Sequence, residues 1–180
     1  MIDLDRLAGP MHGKDCRAEL FSERCRDGLR AACAEDPDIW EIYSINFGPP
    51  DFDAAIDRFA DAPRNRTFVL FDGHELAGMS SFIGVDEGRQ TLEIGGTYYR
   101  PHLRGTGFNQ RVKDMMLARA FECGFRRVEF RVDGRNTRSQ AAMKKLGAVR
   151  EGVLRADRIT WNGHVRDTVL FAILKDEWPV

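Results

Sequence analysis

Long apolar runs are missing from this 180-residue chain. Its first residues hold neither the apolar centre of a secretory signal nor a membrane span, so a cytoplasmic protein is expected. Cysteine is scarce and scattered. Cys16, Cys25, Cys33 and Cys123 form no CxxC pair, and no histidine pattern completes a zinc site. Free thiols in a reducing compartment, and no metal, are the expectation. Charge of neither sign is in excess: the formal net charge is -1, which points to neither nucleic acid nor an anionic membrane as partner. Internal repeats and low-complexity tracts are absent. Two well-known phosphate motifs are lacking as well. There is no G-x-x-x-x-G-K-[ST], which excludes a P-loop NTPase, and a G-x-G-x-x-G fingerprint fails because Gln110 stands three residues after Gly107.

The length suits one domain with one sizeable core. Residues 1–14, with Gly9, Pro10, Gly13 and little periodicity, read as a loose arm, which leaves 15–178 as the domain. A short strand fits 15–21, and Ser22 has the character of an N-cap for a helix over 23–34. A helical turn fits 38–43, and Phe47-Gly48-Pro49-Pro50 is a break before a helix over 51–62. The pattern then turns to strands: 67–71, an Asp72-Gly73 turn, 75–85, and 91–99 interrupted by Gly95-Gly96. Two glycines inside a strand predict a bulge or a close backbone approach. Phe108, Val112, Met116 and Ala120 recur every four residues and predict a helix over 107–122. A strand at 127–132, a helix at 136–146 and a hairpin of 149–160 with 165–174 around Asn162-Gly163 complete the order. This is one α/β domain with a mixed sheet of about six or seven strands and about four helices.

The chemistry is signalled between the strand 91–99 and the helix at Gly107. Glycines in Arg104-Gly105-Thr106-Gly107 let backbone N–H groups approach an anion. A helix start adds unpaired N–H groups and the positive end of a dipole. Arg100, Arg104, Arg111 and Lys113 form a local basic cluster. Read alone, the loop is a diphosphate site or simply a tight turn.

From about Thr67 to Trp178 the chain resembles the GNAT superfamily of acyl-CoA N-acyltransferases. The family motif [Q/R]-x-x-G-x-[G/A] is matched by Arg104-Gly105-Thr106-Gly107-Phe108-Asn109 at its first and fourth positions, with Asn109 standing where Gly or Ala is expected. Glu93-Ile94-Gly95 with a following aromatic pair, Asn136-x-x-Ser139, Lys145-Leu146-Gly147-Ala148, Glu151-Gly152, and Asn162-Gly163 with Asp167 are similar to the branch of ribosomal-protein N-terminal acetyltransferases. Residues 1–66 fit in outline only.

The resemblance implies a GNAT-like, mostly antiparallel sheet, acetyl-CoA as co-substrate without a metal, and a primary amine as acceptor, either a protein N-terminus or a small molecule. It implies cofactor contacts at Thr97, Tyr98, Tyr99, Arg104, Gly105, Thr106, Gly107, Phe108, Asn109, Asn136 and Lys145. Ser139 is implied as the proton donor to the departing thiolate; otherwise Asn136 is only an N-cap and Ser139 a first-turn residue. Glu93 is implied as general base, with Glu129 as rival and a solvated strand-end carboxylate as the plain alternative. Tyr98 and Tyr99 fall on opposite faces of their strand, one toward the acceptor cleft and one toward the core. Trp40, Phe47 and Phe52 either shape the acceptor pocket or pack the core. His102 and His164 read as loop and turn residues. The other function class is a CoA-binding module without catalysis. A homodimer through the terminal hairpin is a further expectation.

Overall fold

The computed structural model describes residues 2–178. Within them, eight strands form one sheet in the order β1-β2-β3-β4-β5-β6-β8-β7. They are β1 (Met11–Gly13), β2 (Cys16–Leu20), β3 (Arg66–Asp72), β4 (Glu75–Asp86), β5 (Thr91–Tyr99), β6 (Arg127–Asp133), β7 (Val149–Ile159) and β8 (Val165–Leu174). Every neighbouring pair is antiparallel except β5 with β6, which is parallel. The expected mixed, mostly antiparallel sheet is therefore present.

Among the described residues five α-helices accompany the sheet: α1 (Leu4–Ala8), α2 (Arg26–Cys33), α3 (Phe52–Ala60), α4 (Phe108–Glu122) and α5 (Thr137–Lys145). Strand alternation splits the core in two. Phe68, Leu70, Leu92, Ile94, Phe130 and Val132 join residues of α4 and α5 on one face. Val69, Met79 and Tyr98 join residues of α2 and α3 on the other. All four cysteines are free and buried.

The expected loose arm at 1–14 is corrected. It holds α1 and β1, and Leu7 and Met11 are buried in the first core. Asp3 caps α1 by accepting from the Arg6 N–H at 2.9 Å, and Arg119 of α4 donates to the carbonyls of Arg6, Gly9 and Pro10. Leu4, Leu7, Ala8 and Met11 keep a helical spacing, but over so short a stretch that it decides nothing until α4 offers a surface. This segment accounts for the extra strand and helix. Ser22 is the N-cap of the helical turn Glu23–Cys25, with the extended backbone a cap requires, although among the described residues its buried hydroxyl has no partner.

Candidate active site

The site begins where β5 and β6 part. Their parallel pairing covers only Thr91–Glu93 against Arg127–Glu129. Beyond that point each strand carries on without the other. From Glu93 to Tyr99 the open lip of β5 runs about 20 Å at the usual rise of a strand. The gap opens a cleft of about 640 Å³.

A bulge holds the lip of β5 in this position. Met79 pairs Tyr98 and Ser81 pairs Gly95, so β5 carries one residue more than β4 between them. Gly96 sits at φ +57°, and a Cβ there would meet the Phe59 ring at 3.0 Å. The extra residue flips the alternation. Ile94 and Tyr99 pack in the first core, whereas Tyr98 packs in the second. Tyr98 stacks on Trp40 with ring centroids 4.9 Å apart and donates to the Ala32 carbonyl at 2.7 Å. Tyr99 donates to Asn109 Oδ1 at 3.0 Å. Both tyrosines line the cleft, so neither is consigned wholly to the core.

Behind the bulge lies a lysine that the sequence places only among the basic residues of the loop. Lys113 of α4 is buried, and its Nζ donates to Thr97 Oγ1 at 2.7 Å, with Ser80 Oγ at 3.5 Å. Ser80 Oγ and Thr97 Oγ1 are 2.7 Å apart. These three groups tie the bulge to β4 and α4. Burial pushes the ammonium down to about 7, against the pull of Glu93. The signal was present in the sequence: Lys113 lies three and four residues before Met116 and Leu117, inside the apolar stripe of α4.

At the open end of the gap is the glycine loop. Gly105 and Gly107 have φ of +83° and +86°, and no protein atom crowds the space above Gly105. Gly107 is the N-cap of α4 with no side chain capping it. Among the described residues, the N–H groups of Gly105, Gly107, Asn109 and Gln110 have no partner. A helix start with four free donors and a dipole is an anion site.

Several side chains predicted to meet the anion do otherwise. The Arg104 guanidinium turns inward to pair with Asp36 and donates to the Tyr99 carbonyl at 3.2 Å. Asp36 is only half-buried, but Arg104 is the more enclosed of the two, so the pair holds the guanidinium away from solvent. Thr106 Oγ1 donates to Leu103 O at 2.8 Å, and Phe108 is buried edge-on against Tyr99. Asn109, the departure from the motif, has its amide drawn aside by the Tyr99 hydroxyl, which leaves its N–H open. The loop therefore offers backbone rather than charge. Free cations come instead from α5: Arg138 and Lys145 line the cleft and have no ion pair among the described residues. No motif in the sequence marks Arg138.

Asn136 caps α5 by accepting from the Ser139 N–H at 2.9 Å, so its carbonyl oxygen serves the helix. Ser139 still lines the cleft, one turn in. His102 is exposed in its loop. Trp40 and Phe52 are core residues, and Phe47 is both core and cleft wall.

Glu93 closes the far end. Leu92 and Ile94 face the first core, so Glu93 points through to the opposite face of the sheet. Its side chain is 17% exposed, makes no hydrogen bond among the described residues, and has Arg131 Nε at 3.7 Å. Burial pushes its carboxyl up to about 7, although Arg158, Arg131 and Arg166 pull it down. Glu129, the rival, is tied to Arg127 at 3.0 Å and Arg131 at 3.4 Å and does not line the cleft. The cleft thus passes through the sheet, with α4 and α5 on one face and Glu93 on the other.

Over that second face runs a strap, residues 37–46. The hairpin turn of β7 and β8 fastens it. Trp161 Nε1 donates to Trp40 O at 2.8 Å, the Trp161 N–H to Ser44 O at 3.2 Å, and Arg166 Nη1 to Ser44 Oγ at 2.6 Å. Tyr43 OH donates to Thr97 O at 2.6 Å on the β5 side.

A sheet that parts at a bulged strand, with free helix N–H groups at the opening, is the arrangement that the resemblance to acyl-CoA N-acyltransferases implies. Residues 37–148 match the family model "Acetyltransferase (GNAT) family", and the chain belongs to that family. It is similar to a solved chain from T. thermophilus assigned as an acetyltransferase: 33% identity, 94% of this chain and 91% of that one covered, TM-score 0.85. The fold is shared with the spermidine N-acetyltransferase of Vibrio cholerae solved with CoA and spermine, at 18% identity, 91% and 97% coverage and TM-score 0.73. It is shared too with the ribosomal-protein-S5-alanine acetyltransferase of Vibrio fischeri, at 16% identity, 95% and 99% coverage and TM-score 0.74. None of the curated proteins matches this chain.

Proposed function

We propose that this protein transfers an acetyl group from acetyl-CoA to a primary amine, by direct attack while both substrates are bound. The observation that carries this is a single cleft that joins the free N–H groups at the start of α4 to Glu93 on the other face of the sheet. One substrate can thus lie on each face and meet in the gap. Acetyl-CoA fits the first side chemically. Its pyrophosphate suits the N–H groups of Gly105, Gly107, Asn109 and Gln110, with Arg138 and Lys145 close by. Its amide-bearing arm suits the unpaired lip of β5.

Acetyl-CoA supplies the acyl group as a thioester. Glu93 takes a proton from the amine, whose nitrogen forms the new bond to the acyl carbon. A backbone N–H of the bulged strand steadies the charge on the acyl oxygen. As the carbon–sulfur bond breaks, Ser139 gives its proton to the thiolate and is reprotonated from solvent. A carboxyl held near 7 by burial is matched to a base working at neutral pH.

The two low-identity neighbours are named for different acceptors, a polyamine and a protein alanine, so the fold does not choose between them. The test is release of free thiol from acetyl-CoA over a panel of amines and N-terminal peptides. Transfer to at least one class, lost in Glu93→Gln, supports the reading. Binding of acetyl-CoA with no transfer to any of them would leave a CoA-binding module instead.

A further inference from the structure

The acceptor side of the cleft holds an arrangement that folding alone disfavours. Arg158 of β7 stands directly opposite Arg166 of β8 in the sheet register. Like charges facing each other across two strands destabilise the pair. Both side chains line the cleft, as does Arg131, and all three act on Glu93.

Each acid near this pair is shared with another partner. Asp133 lies 4.0 Å from Arg166 Nε, but it is engaged by Arg135 through the side chain at 2.8 Å and the backbone N–H at 2.9 Å. Glu129 is taken by Arg127. Asp157 meets Arg158 Nε at 2.9 Å and also accepts from Thr168 at 2.8 Å. Arg166 is 7% exposed. It gives Nη1 to Ser44 and Nη2 to the Arg131 carbonyl at 2.9 Å, and its buried Nε has no hydrogen-bond partner among the described residues. A buried guanidinium N–H left unmade is costly, and an anion would satisfy it.

The remaining wall is apolar: Ile39, Ile42, Ile45, Phe47, Phe59 and Ile83. The strap fastened to Trp161 and Arg166 roofs this side, which suits a small acceptor rather than a folded surface.

We propose that the acceptor is a small primary amine bearing a carboxylate on an apolar body, with the carboxylate set against the Arg158–Arg166 pair. This rests on the acetyl-transfer reading above and narrows its acceptor. The amine then lies toward Glu93, and the apolar body lies along the isoleucines and phenylalanines. A second ammonium, as in a polyamine, meets the arginines and is repelled. A single negative charge suits the place better than two, because Glu93 is adjacent.

The experiment is a thiol-release assay with acceptors that share one body: phenylalanine, phenylalanine amide and 2-phenylethylamine, with spermidine alongside. Phenylalanine is expected to exceed the other three in kcat/KM by tenfold or more. Arg158→Gln, whose side chain is 37% exposed and so can be changed without opening the core, brings phenylalanine down to the level of its amide. Arg158→Lys restores part of the preference. Binding is read separately by titrating 3-phenylpropionate, a carboxylate without an amine, into the protein with CoA present. Saturable binding that Arg158→Gln weakens tenfold supports the subsite even if no acceptor turns over, in which case acetyl transfer is the reading that falls. Equal turnover of acid and amide, a preference for spermidine, or 3-phenylpropionate binding that is absent or indifferent to Arg158→Gln overturns the proposal.

Discussion

Replacing Glu93 by Gln separates what the carboxyl does for the reaction from what it does to the fold. The carboxyl is held at about 7 rather than its ordinary 4.5, chiefly by burial. Moving an acid that far corresponds to a preference for the neutral form of about 3 kcal/mol. The unfolded chain ionises this group near 4.5, whereas the folded chain resists until about 7. Wild-type stability is therefore full below 4.5 and falls as the pH rises through 7. Glutamine keeps the shape and cannot ionise, so it escapes that loss. Urea melts should find the two proteins alike near pH 4.5, and the variant ahead by about 3 kcal/mol above pH 8. Activity moves the other way. Loss of a general base costs about 10²–10⁴ in kcat and removes the limb of the pH–rate profile near 7. Equal stability at every pH would refute the burial argument. An unchanged acidic limb in the variant would show that another group is the base.

Three further outcomes follow from the same geometry. Lys113 is also held near 7, from an ordinary 10.5, so its neutral form is favoured and stability drops as pH falls from 10.5 through 7. Lys113→Met should melt higher than wild type at pH about 6 and gain little at pH about 10, while Ser80 and Thr97 keep their mutual bond. Gly105→Ala places a side chain at φ +83°, costing about 1–2 kcal/mol, and its methyl enters the open space over the loop, so calorimetric titration should find weaker CoA binding. Leu7→Ala should cost about 2–5 kcal/mol in chemical melts, since Leu7 is fully buried, and a loose arm would show no change.

The sheet was legible because its strands are dense in β-branched and aromatic residues and its turns carry Asp72-Gly73 and Asn162-Gly163. The bulge was legible from Gly95-Gly96, which no regular strand requires. The first fourteen residues were not, because Leu4, Leu7 and Met11 take their meaning from α4, about a hundred residues away. Arg104 misled for a related reason. Its charge suggested a phosphate, but Asp36 claims it across the fold, and no local pattern pairs the two. Lys113 and the Arg158–Arg166 pair lie between these cases. The stripe of α4 marks Lys113 as facing inward, and stepping outward from the Asn162-Gly163 turn brings the two arginines opposite. What the sequence withholds is their surroundings, since burial and missing partners belong to the tertiary structure.

The parting of β5 and β6 leaves two half-sheets, β1–β5 and β6–β8–β7, stitched along the ladder at only three residue positions. Folding stops one ladder short of completion, and the shortfall is kept inside a cleft, away from other chains that would pair with an exposed edge. Each backbone bond forgone there is worth about 1 kcal/mol. On the proposed function, a substrate arm carrying amides would recover part of that sum on entering, and so would act as a splint between two plates. Binding should stiffen the molecule across its middle, slowing hydrogen exchange along the β5 lip from Gly95 to Tyr99 more than in β3, which is paired on both sides already.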